Sequence, residues 1–197
     1  MDYQDAIDYL LSLSDMERGY QASPNPTMSL ASVRSLLARL NDPHLGRPTV
    51  HITGSKGKGT TSAMIAGILR EAGYATALYT SPHLHSFTER IAIGGEPVSP
   101  EEFAAGMAAI LPAVEAERES VHGNVSTFGV LTALFFWLVR AQVPRVEWQV
   151  VEVGLGGTFD ATNVFEATDV AVITPISLEH TQILGKTTVE IARDKSG

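Results

Sequence analysis

The segment His51-Ile52-Thr53-Gly54-Ser55-Lys56-Gly57-Lys58-Gly59-Thr60-Thr61 brings together the residue types that hold phosphate. Gly54, Gly57 and Gly59 turn the chain sharply and let the backbone approach phosphate oxygens, and the N–H groups at a helix start bind the anion. Lys58 can set a point charge on the outer phosphates. Thr60 or Thr61 can offer a hydroxyl to phosphate or to magnesium. The spacing departs from the common G-x-x-x-x-G-K-[ST] loop: Ile52 stands at the first glycine position, and Gly59 separates the lysine from the hydroxyl. A glycine-rich turn with two solvated lysines is the bland alternative. Against it, the stretch lies between a β-prone run and a helical one, the order a phosphate loop requires.

Other residues could carry chemistry. Glu152 interrupts the apolar run Trp148–Val153, and a carboxylate on a buried strand is costly unless it is paired or bound to metal. His180 alone reads as a hydrogen-bonded histidine, and only a pairing with Glu152 makes it a ligand. Ser81, ahead of Pro82, reads equally as a turn residue. His83 and His85 flank Leu84, but nothing nearby completes a metal site. Lys195, close to the end of the sequence, reads by itself as a frayed, solvated lysine.

These residues need elements to position them. Tyr3, Ala6, Ile7, Leu10 and Leu11 recur at helical spacing. Gly19–Thr27 reads as a loop and Ser29–Leu40 as a second helix. Pro48–Thr53 predicts a strand, and Lys58–Ala72 predicts a helix with Gly73 as its stop. Ala75–Thr80 and Arg90–Ile93 predict strands, the latter turned by Gly94-Gly95. Ser99-Pro100-Glu101-Glu102 starts a helix running to about Ser120. Ser126–Ala141 predicts an apolar helix, and Trp148–Val153 and Val170–Ile173 predict strands buried on both faces. Strands alternating with helices imply a three-layer α/β domain, its mostly parallel sheet covered on both sides. A helical lead-in occupies about residues 1–46 and a phosphate-loop core about residues 47–197.

Composition narrows the function classes. The 197 residues include 14 Lys and Arg against 22 Asp and Glu, a net charge of −8. An acidic chain lacks the clustered cations that general nucleic-acid binding needs, whereas a phosphate loop works through backbone and one lysine. With no cysteine, disulfides, thiolate nucleophiles and Cys-ligated metals are excluded, and a cytoplasmic location is expected. The start lacks a secretory signal. The uncharged stretch from Gly123 to Val139 is shorter than the roughly 20 apolar residues of a membrane span.

Gly54-Ser55-Lys56-Gly57-Lys58-Gly59-Thr60 resembles the G-T-N-G-K-G-[ST] loop of the Mur ligase superfamily. Three further stretches resemble its folate branch, the folylpolyglutamate synthase and dihydrofolate synthase family. They are Thr80-Ser81-Pro82-His83-Leu84, the run from Glu152 through Gly156-Gly157 to Asp160-Ala161-Thr162-Asn163-Val164, and Leu178-Glu179-His180-Thr181 continuing to Ile191-Ala192-Arg193-Asp194-Lys195. The resemblance implies that ATP phosphorylates the carboxylate of dihydropteroate or a folate, and that the amine of L-glutamate attacks the acyl phosphate to form an amide. It implies ATP contacts from Gly54, Gly57, Lys58, Gly59 and Thr60, and magnesium ligation by Ser81, Glu152 and His180. It also implies contact of Phe159, Asp160 and Ala161 with the pterin-bearing substrate. Lys58, His180 and Lys195 fall at catalytic positions, Lys195 matching a lysine that the family carries as a carbamate.

The sequence departs from the family at two positions. Gly129 stands where the family commonly has a glutamate, and a helical glycine costs roughly 1 kcal/mol against alanine. Thr158 stands where the family has an arginine. The family also continues into a second α/β domain that supplies adenine contacts and much of the glutamate site. The chain is therefore expected to be an amino-terminal ATP-binding domain, inactive in ligation alone, with apolar surface exposed where the second domain packs. The rival readings are a catalytically inactive nucleotide-binding module and a ligase of cell-wall precursor synthesis. Ser81-Pro82-His83-Leu84 argues against the latter.

Overall fold

The computed structural model describes residues 1–13, 26–123 and 125–197, with side chains from residue 30 onward in the second stretch. Most of the expected Gly19–Thr27 loop lies outside the described residues. Helix α1 (Tyr3–Ser12) is capped reciprocally by Asp2 and Asp5 and buries Ala6, Ile7 and Leu10. Helix α2 (Pro26–Arg39) begins three residues before the expected Ser29, since Pro is well suited to a first helical turn. Strand β1 (Thr49–Thr53), helix α3 (Lys58–Glu71) and strand β2 (Thr76–Tyr79) follow.

A 3-10 turn (Phe87–Arg90) leads into β3 (Ile91–Ile93), and the Gly94-Gly95 turn adds a short strand, β4 (Glu96–Pro97). Helix α4 (Pro100–Arg118) starts where expected, and Ser99 and Glu102 cap it reciprocally. Helix α5 (Thr127–Ala141) and strands β5 (Trp148–Glu152) and β6 (Val170–Ile173) also lie as expected. A further helix, α6 (Thr188–Lys195), was not anticipated. Its signature is local, a capping box between Thr187 and Glu190.

The strands form one sheet in the order β4-β3-β2-β5-β1-β6. β2 with β5, β5 with β1, and β1 with β6 pair parallel, while β3 and β4 add an antiparallel edge. The chain leaves β1 toward β2 on one side and leaves β5 toward β6 on the other. Their carboxyl ends therefore flank a point where the winding direction reverses, the usual place for a ligand crevice in such sheets.

The sheet is covered unequally. Residues of α1, α2, α4 and α5 join Ala77, Tyr79, Ile91 and Val151 in one large core. On the opposite face Val50, Ile52 and Val150 meet only Ile65, Ala66 and Leu69 of α3, with Leu78, Trp148 and Val172 around them. The expectation that Val170–Ile173 is buried on both faces is wrong. β6 is an edge strand with β1 as its one partner, and Val170 and Ile173 are exposed. No helix of the described residues is long and apolar enough to cross a membrane.

Candidate active site

β1 delivers the chain into the phosphate loop. Gly54 and Gly57 both have positive φ, 143° and 83°, a region that favours glycine. A Cβ on Gly54 would collide with the side chain of Thr174. The loop is fastened to the chain after β6. Ser55 N–H donates to the Pro175 carbonyl at 3.1 Å, its hydroxyl donates to the Ser177 carbonyl at 3.1 Å, and Ser177 N–H donates back to Ser55 Oγ at 3.0 Å. Lys58 is the first residue of α3, with Gly57 as its cap. The residue thus stands at the positive end of a fourteen-residue helix dipole, where an anion is favoured.

Glu152 ends β5, in register beside Ile52 of β1. Its side chain points to the α3 face and is 3% exposed. Ser81 N–H donates to Glu152 Oε2 at 3.1 Å. A Cβ placed on Gly59 would stand 3.3 Å from Oε2 and 3.6 Å from Oε1. This close approach is the physical reason for the glycine between Lys58 and the hydroxyls: a larger residue would press on the carboxylate. Ser81, Glu152 and Gly59 therefore converge at the first turn of the helix that Lys58 opens. The oxygen donors of Ser81 and Glu152 suit a hard cation such as magnesium, the imidazole of His180 less so.

His180 lies three residues beyond Ser177, which is fastened to Ser55. It is exposed and has a left-handed backbone, φ 44°, and its carbonyl accepts from the N–H groups of Ile183 and Leu184 at 2.8 and 2.9 Å. Among the described residues no three His, Asp or Glu side chains gather to hold a metal. His83 is engaged elsewhere, its Nδ1 accepting from Arg90 Nε at 2.8 Å.

Lys195 is not a frayed lysine. It is 4% exposed, and its Nζ pairs with Glu179 Oε1 at 2.9 Å. The helix carrying it is held from the Gly154–Asn163 loop. Thr158 donates through N–H and hydroxyl to the Asp194 carbonyl at 3.0 and 2.8 Å, and a Cβ on Gly157 would lie 2.7 Å from the Lys195 backbone. The hydroxyl of Thr158 thus fixes α6.

Within the same loop, the buried Asp160 carboxylate accepts from Leu155 N–H at 2.8 Å, Thr162 N–H at 2.9 Å and the Thr162 hydroxyl at 2.6 Å. Burial pushes its carboxyl above the ordinary range, and these hydrogen bonds oppose that shift. Ala161 is buried, whereas Phe159 is 43% exposed. Phe159 and Thr158 wall a cavity of about 610 Å³ with Leu30, Ala31, Arg34, Ser35 and His122. Arg34 also donates to the Asn163 carbonyl at 3.0 Å.

Residue-type reasoning passed over His51, Thr53, Ser55, Thr174 and Glu179, all of which hold the site together. A signal was present: Thr49, His51 and Thr53 alternate with apolar Val50 and Ile52, so β1 offers a polar side chain at every second position.

No family model matches the chain. Among curated relatives, a dihydrofolate synthase/folylpolyglutamate synthase of Bacillus subtilis is 41% identical over 168 residues, covering 85% of this chain and 39% of its own length. An FPGS solved as a complex with AMPPCP and folate superposes with a TM-score of 0.88 at 33% identity, covering 100% of this chain and 46% of that one. The Mycobacterium tuberculosis folylpolyglutamate synthase complexed with ADP gives a TM-score of 0.82 at 36% identity, over 98% of this chain and 42% of that one. The chain spans less than half the length of these relatives. Matched in sequence over 85% of its length and in fold over all of it, the chain belongs to the folylpolyglutamate synthase and dihydrofolate synthase family, corresponding to part of the length of its members.

Proposed function

We propose that this chain is the nucleotide-binding part of an ATP-dependent ligase that adds L-glutamate to dihydropteroate or folate through an acyl phosphate. One observation carries the reading: the buried Glu152 carboxylate lies against Gly59 at the first turn of the phosphate-loop helix, beside Ser81. Such an acid next to a phosphate cradle has a purpose if a cation joins it to the nucleotide. Ser81 and Glu152, with His180 on the facing segment, would hold magnesium, which neutralises charge developing on transferred phosphate. The backbone N–H groups after Gly57, with Lys58 and Thr60, bind and orient the triphosphate.

The cavity beside Phe159 supports the second substrate. Its aromatic and aliphatic wall suits a flat ring system, and Arg34 and His122 offer polar contacts. Phe159 contacts the pterin-bearing acid and the Asp160 side chain shapes the loop that carries it, while Ala161, expected to touch that acid, is buried in the main core and does not line the cavity. Lys195 as an ammonium neutralises Glu179. As a carbamate it would face Glu179 with a second anionic group, an arrangement that requires a cation between them.

Calorimetry with ATP and magnesium tests the nucleotide half. Saturable binding is expected, weakened about tenfold or more by Lys58→Ala, which removes a charge-assisted contact; no binding by the parent chain overturns it. Joined to the remaining length of its Bacillus subtilis relative, the chain should release phosphate only when dihydropteroate or folate and glutamate are present. Release indifferent to both acids defeats the substrate assignment.

A catalytically inactive nucleotide-binding module is the second reading, and Gly129 favours it. A Cβ there would sit 2.8 Å from Val33 Cγ2 and 3.1 Å from Val125 Cγ1, so the position has no room for the glutamate of the family pattern. Saturable ATP binding without phosphate release in the joined protein would select it.

A further inference from the structure

His51 lies on β1, two residues before Thr53, which leads directly into the phosphate loop. Its Nε2 is 2.8 Å from Thr162 Oγ1. The Thr162 hydroxyl in turn donates to Asp160 Oδ1, the oxygen that also accepts Thr162 N–H, while Oδ2 accepts Leu155 N–H. A hydroxyl has one proton. With that proton given to Asp160, its oxygen accepts from His51, whose Nε2 therefore carries the hydrogen. The other side of the imidazole stands edge-on to Phe165, ring centres 6.1 Å apart. Thr53 makes the companion contact from the same face of β1, its hydroxyl donating to the Gly156 carbonyl at 2.8 Å.

The loop between β5 and β6 is thus hung from β1 at two points, near its start through Thr53 and near its middle through His51. Phe159 and Ala161 lie between the two. We propose that His51 is a positioning residue: through Thr162 and Asp160 it sets the Phe159–Ala161 stretch relative to the phosphate loop, so that acid substrate and nucleotide share one frame. The part of this that concerns the acid substrate rests on the function proposed above. A chain of buried hydrogen bonds suits the task because each member has one partner geometry, and a half-satisfied network is costly.

The test uses the 197-residue chain with His51→Leu, which removes the donor, and His51→Gln, which keeps an N–H donor. In the parent, nitrogen-15 NMR should find the His51 ring protonated at Nε2. Hydrogen exchange at Leu155 and Thr162 amides should quicken about tenfold in His51→Leu, the loss of about one hydrogen bond, with Val150 and Val151 unchanged. Affinity for folate should fall about tenfold and affinity for ATP stay within twofold. His51→Gln should recover most of both effects.

Uniformly faster exchange across the sheet, or equal losses for folate and ATP, would mean that His51 contributes bulk stability alone and overturns the proposal. Unchanged exchange at Leu155 and Thr162 overturns it as well. If exchange responds as expected but the parent binds no folate, loop positioning stands and the substrate assignment falls.

Discussion

One face of the sheet lies beneath α1, α2, α4 and α5 and buries Tyr79, Phe103, Phe135 and Phe136 completely. The other carries α3, where Met64 and Ile68 remain 64% and 69% exposed. Burial of apolar area is the main stabilising term in a fold, so the thick face holds the molecule together. The thin face needs only enough packing to keep α3 seated on β1 and β5, and its first turn meets the Glu152 carboxylate. Polar groups that would weaken a core can be tolerated there, and a helix end is left open to an anion. The main core and the phosphate-loop half of the candidate site thus lie on opposite faces of a single sheet, whereas the cavity beside Phe159, walled by Leu30, Arg34 and Ser35 of α2, lies on the thick side.

The largest expected effect lies within the thick face. Phe135→Ala removes a fully buried ring stacked on Tyr79 at 5.1 Å between centres, and urea unfolding should show a loss of about 3–5 kcal/mol. A loss below about 1 kcal/mol would break the comparison.

Acidification comes next. Burial holds the His51 imidazole down at about 4 from its ordinary 6.5, and burial lowers His44 as well. The folded state refuses a proton that the unfolded state accepts. Stability is therefore full above pH 6.5 and falls as pH drops toward 4, by up to about 3 kcal/mol for His51. Asp160, raised by burial, acts in the opposite sense, because its folded form takes up a proton more readily on acidification, and so it reduces the net loss. Unfolding measured from pH 7.5 to 4.5 should show a shallower slope for His51→Gln than for the parent.

Gly129→Ala sharpens the comparison inside the thick face. Alanine should gain about 1 kcal/mol of helix propensity, yet its Cβ must displace Val33 and Val125, and overpacking costs about 1–3 kcal/mol. A net loss of about 1 kcal/mol in thermal unfolding is expected; a gain would show that α2 yields. Smallest is Ile68→Ala on α3, exposed and within about 0.5 kcal/mol of the parent in urea unfolding.

Much of this arrangement was legible without coordinates. The Ser126–Ala141 run announced a buried helix because almost every residue is apolar, and Ser99-Pro100-Glu101-Glu102 announced the start of α4, since first-turn proline and acids are marks carried by sequence neighbours. Gly129 read as a helix defect, although its packing against α2 makes it a contact point. Val170–Ile173 read as a doubly covered strand because apolar composition reports potential burial, while edge position depends on which strands lie alongside. Lys195 read as solvated, since its partner Glu179 comes from another segment.

By itself the sequence determined the phosphate loop, the alternation of helices and strands, and family membership, because glycine spacing, apolar periodicity and capping pairs act over a few residues. Tertiary structure alone decided that Glu152 comes against Gly59, that His51 and Thr53 suspend the loop after β5, and that Lys195 is buried on Glu179. Each of those depends on strand order and register, which bring together groups far apart in the chain, and long-range pairing of that kind leaves no local trace in residue types.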